Sequence, residues 1–109
     1  MEIRLADVKP MVDIAIRTRF SCYIFRVTKP SECRGFLSGG RLGSKPREAF
    51  LATTFLPTNR WISKTEQLET GYHAMFYLEG TGPVVLTTSV ITELTFAVSE
   101  VTESPPADC

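Results

Sequence analysis

One histidine, three cysteines and a net charge of zero leave this 109-residue chain short of the groups that most enzymes work with. Nucleophilic catalysis needs a base beside a serine, threonine or cysteine, and His73 is the one imidazole available. It falls on a strand-like segment between Tyr72 and Ala74, where a packing or surface role is the simpler expectation. Cys33 or Ser89 could meet it in space, yet no spacing requires that. Glu66 and Glu69 lie three apart and read as solvated charges on an exposed turn, so no catalytic residue is assigned and an enzyme is the least favoured class. Cys22, Cys33 and Cys109 contain no C-x-x-C pair and fall short of four patterned ligands, so neither a metal site nor a cofactor is expected. Cys22 is expected to pack as a small hydrophobe, and a Cys22–Cys33 disulfide is disfavoured in a reducing cytoplasm.

Long apolar runs are also missing. Nothing approaches the roughly 20 consecutive apolar residues of a membrane helix, and Glu2, Arg4 and Asp7 stand where a signal peptide needs an apolar stretch. The expected setting is the cytoplasm, with no membrane partner. A nucleotide-phosphate loop is excluded as well. Gly35 and Gly40 have its separation, but Arg41 and Leu42 occupy the positions that require Lys and Ser or Thr, and a strand comes next where a helix is needed.

What is present is alternation with a period of two. From Ile14 the even positions read Ile14, Ile16, Thr18, Phe20, Cys22 and Ile24. From Val84 they read Val84, Leu86, Thr88, Val90, Thr92, Leu94, Phe96 and Val98. Successive side chains on a strand point to opposite faces, so each segment predicts one long strand with a buried and a wet side. Strands of this length must twist, and a small chain buries them by coiling the sheet. The sequence therefore predicts an all-β fold: a small antiparallel β-barrel or β-roll of five to six strands, with at most one short helical turn.

Residues 1–98 read as a single β domain, of a size that can bury its own core, and 99–109 as a disordered acidic tail. The segment Met1 to Pro10 is a short edge strand or an arm. Strands are expected at about Val12–Val27, Cys33–Leu37, Glu48–Leu56 and Tyr72–Leu78, with a tight turn at Gly80–Pro83 leading into the last one. Ser38–Ser44, with three glycines in five positions, reads as a flexible loop. Between Thr58 and Thr70 the alternation stops. Ser63 and Glu66 have capping-box spacing and Gly71 stands at a helix stop, which allows a single helical turn or an irregular connection.

Charge is balanced in total and divided along the chain. Residues 1–47 hold ten Lys and Arg against four Asp and Glu, whereas 48–109 hold two against eight. If the first and last long strands become neighbours, Arg17 and Arg19 are drawn toward Glu93, and cross-strand pairing accounts for the division. The alternative is nucleic-acid binding, single-stranded or RNA, through the glycine-rich segment 34–47. Arg34, Arg41, Lys45 and Arg47 would supply the charge, and Tyr23, Phe25 and Trp61 the stacking surfaces.

Two middle strands appear apolar on both faces, and a small barrel can bury only one of them. Leu51, Phe55, Met75 and Tyr77 form one surplus set, and Phe50, Leu56, Phe76 and Leu78 the opposite one. Exposed apolar strand faces mark partner sites, and symmetric self-association is their commonest cover. The leading expectation is a non-catalytic interaction module that forms a homo-oligomer, or meets another protein, through Leu51, Phe55, Met75 and Tyr77. A ligand-holding barrel is disfavoured because it takes about eight strands to open an interior.

Overall fold

A computed structural model of the chain describes residues 1–80 and 85–97. The expected turn at Gly80–Pro83 lies largely outside the described residues, and so do the acidic tail 99–109 and Cys109.

Among the described residues ten strands form: β1 (Glu2–Arg4), β2 (Val12–Thr18), β3 (Cys22–Lys29), β4 (Arg34–Gly39), β5 (Arg47–Phe55), β6 (Ser63–Lys64), β7 (Gln67–Glu69), β8 (His73–Leu78), β9 (Val85–Thr87) and β10 (Ile91–Ala97). The main sheet is antiparallel in the order β10-β2-β3-β4-β5-β8-β9, with β6 added to β5, while β1 and β7 pair separately. Helical structure among the described residues is confined to three single 3-10 turns. This is the small all-β roll that the alternation predicts, cut into shorter pieces. The sheet is open and curls until opposite strands touch. Phe25 of β3 and Phe76 of β8, several strands apart in the sheet, meet edge to face with ring centroids 5.1 Å apart. Both rings are fully buried, and burial of a phenylalanine side chain contributes about 1.5–3 kcal/mol.

The extra divisions have local causes. The expected single strand from Val12 to Val27 is a hairpin, β2–β3, turning at Arg19-Phe20. No glycine or proline marks the bend. Thr18 Oγ1 makes it, accepting the N–H groups of Phe20 at 3.3 Å and Ser21 at 3.0 Å and donating to Ser21 C=O at 3.1 Å. The turn reverses the inward parity, so Ile14, Ile16 and Thr18 are buried from β2 but Tyr23, Phe25 and Val27 from β3. Phe20 is left 77% exposed. Cys33 is a free, buried thiol, so the Cys22–Cys33 disulfide does not form.

The last long strand is divided in the same way. It pairs with β8 as far as Thr87 and with β2 from Ile91, changing partner at a corner. Thr88 N–H donates to Ala74 C=O at 2.8 Å, Ile91 N–H to Tyr72 C=O at 2.9 Å, and Gly71 N–H to Ile91 C=O at 2.8 Å. The buried Thr88 hydroxyl fills the corner, accepting from Ala74 N–H at 3.0 Å and donating to Ser89 C=O at 2.8 Å. Beyond it Ile91 is buried, contrary to the even-position pattern, a register shift between Ile91 and Glu93 restores that pattern at the buried Leu94, and Phe96, opposite Ile14, is left 53% exposed. As expected, the first and last long strands are neighbours: Arg17 stands opposite Glu93, with Nε–Oε1 at 3.7 Å.

The Thr58–Thr70 region contains no helix. Glu66, with φ +62°, turns the chain between β6 and β7, and Leu68 of β7 is buried opposite Ile3 of β1. That pairing also fixes the first residues as an edge strand rather than a loose arm. No described helix is long and apolar enough to cross a membrane.

Candidate partner-binding face

The two-faced appearance of β5 and β8 is resolved by a bulge. Ala49 and Leu51 point into the core, a register shift comes between Leu51 and Thr53, and the next inward residue is Thr54. An extra residue in one strand moves every later side chain to the other face. Phe50 and Phe55, five apart, are therefore both left out of the core. On β8, Ala74, Phe76 and Leu78 are buried, and His73, Met75 and Tyr77 alternate with them on the outside.

This corrects the expected interface set. Leu51 is only 3% exposed and belongs to the core, whereas Phe55, Met75 and Tyr77 share the outer face with Phe50, which alternation groups with the inward Phe76 and Leu78. No sequence signal marks the bulge, and strict alternation necessarily puts Leu51 and Phe55 together.

Two cross-strand rows organise the outer face. In the first, Arg34 of β4, Phe50 of β5, Tyr77 of β8 and Val85 of β9 stand opposite one another in succession. The Arg34 guanidinium lies 5.2 Å from the Phe50 ring centroid, and the Phe50 and Tyr77 rings are 5.1 Å apart at 38°. Cation–π and aromatic pairs of this kind each contribute about 0.5–1.5 kcal/mol beyond area burial. Arg34 also faces Glu79 at 3.1 Å, Glu32 at 3.5 Å and Glu48 at 4.0 Å. The hydrogen bond it donates to Glu79 is the main reason its pKa is raised.

In the second row Phe55 stacks on His73 with centroids 5.1 Å apart at 30°, and Arg60 lies 5.9 Å over the Phe55 ring. His73 Nδ1 is 2.8 Å from Thr88 C=O. A carbonyl can only accept, so Nδ1 carries the hydrogen, and the ring is tied to the corner rather than to Ser89 or Cys33. Met75 lies between the rows, opposite Thr53 and Thr87. Tyr77 is 38% exposed, and Val85 is exposed at the free edge of the sheet.

Of the residues considered for nucleic acid, Arg41, Lys45 and Arg47 lie at one end of the roll, and Tyr23, Trp61 and Arg34 do not join them. Tyr23 is 2% exposed, an inward residue packed beneath Gly40, where an added Cβ would come 2.5 Å from its ring. Trp61 is 91% exposed but lies beyond the C-terminal end of β5, whereas Arg47 begins that strand. Arg34 is engaged by three carboxylates. Arg41 donates to Thr87 C=O, Arg47 donates to Glu79 C=O at 3.1 Å, and Lys45 is exposed. A shallow cleft of ≈ 340 Å³ opens beside Arg41, Leu42, Leu78 and Val85.

Among the described residues no group of three or more His, Cys, Asp or Glu gathers as a metal site. Compared with family models, curated proteins and solved structures, the chain matches none.

Proposed function

We propose that this protein is a non-catalytic interaction module that self-associates through the outer face of β5, β8 and β9. The observation that carries the reading is the row Arg34–Phe50–Tyr77–Val85, in which a half-buried phenylalanine leads to an exposed tyrosine and valine on paired strands up to a free sheet edge. Phe55 and Met75 extend the same apolar face. A second copy is the occupant best matched to it. One end of the row carries both charge signs, Arg34 beside Glu32, Glu48 and Glu79, so the rim is self-complementary under a twofold axis, which presents the same patch from both subunits.

Single acidic substitutions on the outer face test it. Tyr77→Asp and Met75→Asp, each soluble and folded by circular dichroism, are expected to lower the particle mass, while Phe36→Asp on the outer face of β4 leaves it unchanged. An assembly that survives both acidic substitutions contradicts the assignment of this face.

A further inference from the structure

Charge pairing distinguishes two sets of cations in this protein. Arg17, Arg26, Arg34 and Lys64 each lie within 4.0 Å of a carboxylate. Of the eight cations with no carboxylate within that distance among the described residues, four, Arg19, Arg41, Lys45 and Arg47, are gathered by the strand register at one end of the roll. Arg17 pairs with Cys22 at the end of the β2–β3 hairpin, so Arg19 and Phe20 form its tip. Tyr23 pairs with Gly39, which places the Gly40–Leu42 turn, and Arg41 within it, beside that tip. Arg47 starts β5 opposite Leu37, two residues after Lys45, at the same end.

The arrangement is anchored without being neutralised. Arg41 and Arg47 each give an N–H to a main-chain carbonyl, of Thr87 and Glu79 respectively, which positions the guanidinium without a close ion pair among the described residues. A guanidinium has five N–H donors, so each keeps several for a ligand. Phe20 projects from the same end with its ring 77% exposed and the Arg19 guanidinium 5.7 Å from its centroid. Cations around a freely presented aromatic ring are the elements with which proteins hold single-stranded nucleic acid, phosphates on the cations and a base on the ring. A duplex keeps its bases stacked and gives such a ring nothing to pair with.

We infer that this end of the roll binds single-stranded nucleic acid, with Arg19, Arg41, Lys45 and Arg47 on the phosphates and Phe20 stacked on a base. The site meets the edge of the outer face of β5, β8 and β9 where Arg41 and Val85 line one cleft, and none of its five binding residues belongs to the self-association row. Phe20 takes the stacking role that the sequence alone suggests for Tyr23, Phe25 and Trp61, of which the first two are buried and the third lies at the far end of β5.

The test is fluorescence anisotropy with a labelled oligouridylate of about 12 nucleotides, a length within the range held by one small barrel. Four phosphate contacts on a single strand predict a roughly 50-fold loss of affinity between about 50 and about 200 mM salt. Lys45→Glu, at an exposed side chain, and Arg41→Gln, which keeps an N–H donor for Thr87, are each expected to weaken binding severalfold. Phe20→Ala is expected to weaken it about tenfold. No anisotropy change at low salt overturns the inference, as does binding that is indifferent to both charge substitutions. Charge-dependent binding that Phe20→Ala leaves intact overturns the stacking assignment. Capture by phosphatidylserine vesicles without capture of the oligonucleotide would overturn it too, and would mean that the end is a membrane contact instead.

Discussion

Phe50 and Tyr77 stand directly opposite each other on neighbouring strands, ring centroids 5.1 Å apart, and neither ring faces the core. A cross-strand aromatic pair stabilises the sheet by itself, but its outer surface stays wet in an isolated chain. The bulge in β5 is what makes this possible, because it keeps Phe50 and Phe55 on one side while Leu51 and Thr54 fill the other.

That arrangement separates two substitutions that strict alternation would treat alike. Leu51→Asp puts a charge into the core and is expected to unfold the protein, since an unpaired buried charge costs several kcal/mol. Tyr77→Asp is expected to leave a cooperative unfolding transition within about 1.5 kcal/mol of wild type, the worth of the lost aromatic pair. Urea denaturation monitored by circular dichroism distinguishes them, and a folded Leu51→Asp variant would show that the inner and outer faces have been exchanged.

Gly35 is required by close strand approach rather than by a turn. A Cβ added there would lie 1.9 Å from the carbonyl oxygen of Arg26 on β3. The contact is with backbone, so β3 and β4 must separate to admit even a methyl group. Gly35→Ala is expected to destabilise by about 1–3 kcal/mol, as overpacking generally does. A midpoint in urea equal to that of wild type would refute the close approach.

Asp13 and Arg26 form a two-bonded ion pair across β2 and β3, Nε to Oδ1 at 2.7 Å and Nη2 to Oδ2 at 3.1 Å. The hydrogen bond to Asp13 is the main reason the Arg26 pKa is raised. The Arg26 side chain is 44% exposed, so solvent screens the pair and its coupling energy is expected at about 0.5–1 kcal/mol. A double-mutant cycle with Asp13→Ala and Arg26→Ala measures it, and the coupling should shrink in high salt.

Burial pushes the Cys33 thiol above its usual pKa, with the Glu66 carboxylate adding to the shift. Two consequences can be measured. Alkylation of Cys33, tracked by peptide mass spectrometry at about pH 8, is expected to be slower in the folded protein than in urea, because the thiolate is the reactive form. The sign of the pH effect comes from linkage. A raised folded-state pKa means that the folded chain holds its proton longer than the unfolded chain. This contribution to stability is complete below the unfolded thiol pKa of about 8.5 and is lost as pH rises through the folded value. Equal alkylation rates in the two states would contradict the burial.

The all-β fold is legible because alternation of apolar and polar residues is a direct consequence of strand geometry, and Arg17 opposite Glu93 comes from making the outer long strands neighbours. The features that escape the sequence are local. The hairpin at Arg19-Phe20 is held by the Thr18 hydroxyl and carries no glycine or proline, so β2 and β3 read as one strand. The corner at Thr88 and the bulge after Leu51 depend on long-range pairing: the corner reverses the inward parity at Ile91, until a register shift restores it at Leu94, and the bulge reverses it at Thr54. Parity errors are why alternation puts Leu51 and Tyr23 on the surface and the exposed ring of Phe20 in the core. The capping-box spacing of Ser63 and Glu66 is overridden by tertiary pairing: Leu68 gains complete burial in β7 opposite Ile3, which an isolated helical turn cannot offer.

The central claim is that the outer face of β5, β8 and β9 is covered by a second copy. Absolute mass by light scattering behind a sizing column, in reducing buffer and over a wide concentration range, tests it most directly. Self-association gives a mass at a whole multiple of the 12.2 kDa chain, falling toward the single chain on dilution or with Tyr77→Asp. A mass of one chain at every concentration would contradict it.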